Sequence, residues 1–77
     1  MKLRKKDFTL VYHTSVNNTK LYVVLNPKIS LKRAVGIATN LVHLGFLPED
    51  GVFSLTARSK KELKQIWKNY ARGMRFL

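Results

Sequence analysis

Four cations recur at spacings of three and four near the C-terminus: Lys61, Lys64, Lys68 and Arg72. On a helix they share one side, apart from a stripe of Leu63, Ile66, Trp67, Tyr70 and Ala71 that Met74 continues. Arg58 and Lys60 flank the start of the row, and Arg75 follows its end. Cations at such intervals can track a phosphate backbone. Solvated lysine faces usually carry acids three or four residues away. Here Glu62 is the only carboxylate in the segment, and Ser59-Lys60-Lys61-Glu62 already employs it as a helix-capping box. Like charges four apart repel by about a few tenths of a kcal/mol per pair, so the row gains from an anionic partner.

Charge is distributed in the same sense. The 77 residues carry a formal net charge of +11. Residues 1–33 hold eight bases and one acid, residues 34–57 hold two acids and no Lys or Arg, and residues 58–77 hold seven bases and one acid. Residues 1–6 read as a mobile basic arm carrying Arg4, Lys5 and Lys6. Two basic ends around a neutral middle point to a polyanion, DNA or RNA, with an acidic protein as the alternative.

Catalytic parts are few. His13, His43, Lys20 and Tyr22 could serve a small ribonuclease, but nothing in their spacing converges them on one bond. His43 falls in the last turn of a helix, where its protonated ring suits the dipole. There is no Cys, no cluster of metal-ligating residues and no phosphate loop among the four glycines. An enzyme, a cofactor and a metal are therefore not expected. No apolar run approaches the roughly 20 residues of a membrane span, and the lack of Cys fits a reducing, cytoplasmic setting.

The elements that would position these residues begin with a hairpin. Phe8–Val16 and Thr19–Asn26 alternate with period two around Asn17-Asn18, a pair suited to the positive φ angles of a type I′ turn. That turn pairs Thr14 with Leu21, Tyr12 with Val23 and Leu10 with Leu25 on one apolar face. The second face sets Val11 against Val24, His13 against Tyr22, and Ser15 against Lys20. This half-apolar face is a candidate for partner binding, homodimerisation or base stacking.

Pro27 closes the hairpin, and Ser30 caps a helix of about Leu31–Leu44, with Leu31, Val35, Ala38, Leu41 and Val42 on one face. Gly45 suits the left-handed position after it, with Phe46 reaching back to Leu41. Pro48–Gly51 reads as a turn and Val52–Ala57 as a third strand, before the basic helix at about Lys60–Arg72. No repeat or linker divides the chain, so residues 1–77 form one domain.

The pattern predicts an α+β domain of order ββαβα, a two-layer sandwich in which a three-stranded, mainly antiparallel sheet packs on two helices. Strand order 2-1-3 is preferred, and the last strand beside the second, parallel to it, is the alternative. The order is not that of an RNA-recognition motif, and a strand between the helices excludes a helix-turn-helix. The expected function is nucleic-acid binding through phosphates. A protein-interaction module on the open hairpin face is second.

Overall fold

The computed structural model describes residues 4–73, and of their side chains those up to Tyr70. A 3-10 turn at Lys5–Asp7 precedes β1 (Phe8–Thr14) and β2 (Thr19–Leu25). Helix α1 (Leu31–His43), β3 (Leu47–Glu49), β4 (Val52–Ala57) and helix α2 (Lys60–Gly73) follow. The α+β class and the sheet-on-helices layering are those expected. The sheet, however, has four strands in the order β1-β2-β4-β3, and every neighbouring pair is antiparallel. Exchanging β1 with β3 and β2 with β4 leaves that order unchanged. The chain is thus two ββα units joined along β2 and β4.

Three sequence expectations give way here. First, the segment read as a turn contributes β3, whose Glu49 pairs with Val52, so that only Asp50 and Gly51 turn the chain. Both have positive φ, 51° and 78°, so this Asp-Gly pair has the backbone signs of a type I′ turn. Pro48 sits in an edge strand, where its missing N–H is tolerated. Second, β1 is an edge strand rather than the central one, and β4 pairs with β2 antiparallel rather than parallel. Burial decides this, because Thr19, Leu21 and Val23 of β2 are buried, whereas β1 alternates half-buried with exposed residues.

Third, the first hairpin turns at Val16-Asn17. The Ser15 amide donates to the Asn18 carbonyl at 2.8 Å, and Ser15 Oγ donates to Asn18 Oδ1 at 3.0 Å. No non-glycine residue except Asp50 has positive φ among the described residues, so the Asn pair is not a left-handed turn. Partners become Thr14–Thr19, Tyr12–Leu21, Leu10–Val23 and Phe8–Leu25. Each moves by two residues, which preserves the faces because side chains alternate with period two. The cost falls on Val16, which is 99% exposed.

Replacing Gly51 with Val is expected to cost about 1–2 kcal/mol in urea denaturation, from the strain of a β-branched residue at left-handed dihedrals. Asn18→Val is expected to be near neutral. The reverse ranking would restore the Asn17-Asn18 turn.

Both helices cover one face of the sheet. The core is Leu21, Val23 and Phe53 from the sheet, Ile37 and Leu41 from α1, Leu63 and Tyr70 from α2, and Phe46. Ser30 Oγ accepts from the Arg33 amide, and Ser59 Oγ accepts from the Glu62 amide, which fixes both helix starts. At the end of α1, Phe46 N–H donates to Leu41 O and Gly45 N–H donates to Val42 O, a Schellman closure with Gly45 at φ 100°.

Of the face expected for α1, only Leu41 is buried and Ala38 packs against the core. Ile37 and Leu41 point inward, while Leu31, Val35 and Val42 remain exposed on a stripe roughly a third of a turn away.

Candidate functional site

Helix α2 lies with Leu63 and Tyr70 buried and Trp67 half-buried against the core, and Ile66 is half-buried beside them. Trp67 joins the helix to β1: its ring lies 5.0 Å from that of Phe8, edge-on, and 5.2 Å from that of Tyr70 on the same helix. Tyr70 Oη donates to Ile37 O at 3.4 Å, and burial holds its phenol protonated well above the usual range. Opposite this stripe, Lys61, Lys64 and Lys68 stand exposed, over about 10 Å of helix.

No described carboxylate pairs with them, because the ion pair Asp7–Arg33 is the only one among the described residues. Lys60 is partly engaged, its Nζ 5.0 Å above the Tyr12 ring. Arg58 is exposed just before the cap. Arg75 and the side chain of Arg72 lie outside the described residues, as does the Ala71 and Met74 end of the apolar stripe.

Of the basic arm expected over residues 1–6, residues 1–3 lie outside the described residues, and residues 4–6 are held by hydrogen bonds. Asp7 is 2% exposed, and its Oδ2 accepts from Arg33 Nε at 3.0 Å, Arg33 Nη2 at 2.6 Å and the Arg4 amide at 2.9 Å. Asn26 ties down the same turn, its Nδ2 donating to Lys6 O and its amide to Asp7 O. The Arg33 guanidinium, then the Arg4 amide, holds the Asp7 carboxyl below its usual range against the opposing effect of burial. Arg4, Lys6, Lys28 and Arg33 thereby line one pocket around Asp7. Lys5 is exposed on the turn. Sequence reading missed the role of Arg33, although Asp7 is the only acid among eight bases of residues 1–33.

The chain matches no protein family, no curated protein and no solved structure.

The outer face of the sheet is uncovered by either helix. Val11 faces Tyr22, His13 faces Lys20 and Thr9 faces Val24, in place of the pairs expected from the earlier register. Lys20 Nζ lies 5.3 Å from the Tyr22 ring centroid, so one face of that ring is already taken by the chain's own ammonium. Tyr22 pairs with Ser54 of β4, and Lys20, Tyr22, Glu49, Asp50, Val52 and Ser54 line a shallow depression. Carboxylates on one side of it oppose a lysine on the other, a mixed surface unsuited to a polyanion.

His13 sits on this open face and His43 at the end of α1 in the other layer, so the two histidines are not brought together. No group of three His, Asp or Glu gathers as a metal would require among the described residues. No helix among them is long and apolar enough to cross a membrane.

Proposed function

We propose that this protein binds nucleic acid, DNA or RNA, through its phosphates, with the exposed row of α2 as the principal contact. The observation that carries the reading is the row itself: Lys61, Lys64 and Lys68 project away from the core, with no carboxylate among the described residues paired to them. Each cation that neutralises a phosphate releases counterions and adds about 0.9 to the salt slope on duplex DNA, or about 0.7 on a single strand. The fastened cluster of Arg4, Lys6 and Lys28 offers further cations, concentrated around a concavity that strengthens their field.

The test is binding to duplex DNA, single-stranded DNA and structured RNA across a salt series, for the natural chain and for a Lys64→Gln, Lys68→Gln double variant. Gln keeps helix propensity and removes two charges. The expected result is an unchanged fold, weaker binding on every sequence and a slope lower by roughly 1–2 units. A folded double variant with unchanged binding would remove α2 from the interface.

An acidic protein partner would use the same cations. Pull-down from a lysate with and without nuclease treatment separates the two, because only nucleic-acid binding is lost on digestion.

A further inference from the structure

We propose that the pocket around Asp7 binds a phosphate monoester, the group found at the end of a nucleic-acid strand and on a free nucleotide. Arg4, Lys6, Lys28 and Arg33 line it together with Asp7 and Ser30. Its volume of about 390 Å³ falls within the range of about 300–1,000 Å³ for small-ligand clefts.

Two polar side chains assemble the pocket. Asp7 Oδ2 accepts from the Arg33 guanidinium and from the Arg4 amide. Asn26 Nδ2 donates to Lys6 O at 2.9 Å, and Asn26 Oδ1 accepts from the Lys28 amide at 2.9 Å. Segments far apart in sequence are thereby drawn to one place. Arg4, Lys6 and Lys28 are held through main-chain atoms, so these bonds use none of their charge. Among the described residues, only Arg33 forms an ion pair.

Charge selects the ligand. Four cations against one carboxylate leave the lining at +3. Asp7 is 2% exposed, and its charge is directed at Arg33 rather than into the pocket. Like charges held close repel, and an anion in the pocket offsets that repulsion. A phosphate monoester carries about −1.5 to −2 charge near pH 7 and three strong acceptor oxygens. A carboxylate offers less of both. A diester inside a strand carries less charge and continues on both sides, which suits an open row better than a concavity.

Trp67 of α2 meets Phe8, the residue after Asp7, so the pocket and the Lys68 end of the row lie toward the same end of β1. Binding of a strand end therefore rests on the nucleic-acid reading, whereas binding of a free monoester does not.

The probes are adenosine 5′-monophosphate, with adenosine as its control, and one oligonucleotide made with a 5′-phosphate, a 3′-phosphate or hydroxyls at both ends. The monophosphate should shift the amide resonances of Lys6, Lys28 and Ser30 saturably, and adenosine should not. A phosphorylated oligonucleotide should bind about tenfold tighter than the hydroxyl form. An Arg4→Gln, Lys6→Gln, Lys28→Gln triple variant keeps the main-chain bonds to Asp7 and Asn26, so its circular dichroism should be unchanged. It should lose both the monophosphate shifts and the end preference. Lys64→Gln with Lys68→Gln should weaken all three oligonucleotides and keep the preference, so failure of the row and failure of the pocket are told apart.

Saturable shifts without an end preference would assign the pocket to free phosphate monoesters. Absence of shifts together with equal binding of the three oligonucleotides would overturn the proposal. So would equal shifts with adenosine, or a preference that the folded triple variant retains.

Discussion

Phe46→Ala is expected to lower stability by about 3–5 kcal/mol in urea denaturation, the range for emptying a buried aromatic site. Phe46 is 1% exposed and is the largest fully buried side chain described. It follows the Schellman closure of α1, so its position is fixed by the backbone bonds from Gly45 and Phe46 to the last turn. Its ring meets Trp67 of α2 edge-on at 6.4 Å, and Trp67 in turn meets Phe8 of β1 and Tyr70. One side chain thus joins the end of α1, the middle of α2 and the first strand.

A chain of 77 residues has on the order of 4–12 kcal/mol of total stability, so this loss would remove a large part of it. Phe46→Leu keeps most of the volume and should cost about 1–1.5 kcal/mol. A loss below about 1 kcal/mol for the Ala variant would mean that the helices are held together elsewhere.

The same residue shows what was legible in the sequence. Gly45 followed by Phe46 gave both the helix stop and the inward turn, because only a left-handed residue lets the chain fold back there. The inner face of the hairpin was equally readable, since alternation determines the face whatever the register. Register itself was not readable. Asn17-Asn18 has the chemistry of a left-handed turn, but the bonds between Ser15 and Asn18 favour a turn one residue earlier. Asp50-Gly51 has the same chemistry and takes that conformation, with the short strand Leu47–Glu49 before it. Three residues containing a proline do not signal a strand, and so the two-fold ββα plan stayed hidden. The first strand of one unit has seven residues and that of the other has three.

The candidate site divides in the same way. The lysine row of α2 follows from spacing alone, because a helix with one apolar stripe must turn the remaining positions outward. The N-terminal cluster does not, because it depends on a contact between Asp7 and Arg33, 26 residues apart. A local reading assigns residues 1–6 to a loose arm. The tertiary bond instead gathers Arg4, Lys6, Lys28 and Arg33 around one carboxylate.

Asp7→Asn should therefore cost about 2–3 kcal/mol near neutral pH. The carboxylate accepts three bonds, two of them from a guanidinium, and bonds to charged groups contribute about 1.5–3 kcal/mol. Removing one partner of a buried pair can cost more, but the Arg33 side chain is 20% exposed and can be rehydrated in part. The sign with pH follows from the direction of the shift. The folded-state pKa of Asp7 is lowered, so its contribution is fully present above the unfolded carboxylate value of about 3.9 and is lost as pH falls through the folded value. Urea denaturation of the natural chain and of Asp7→Asn should show the full gap near pH 7 and a closing gap below about pH 4. A gap that persists unchanged into strong acid would mean that Asp7 contributes by shape and neutral hydrogen bonding, and that its charge does not anchor the N-terminal turn.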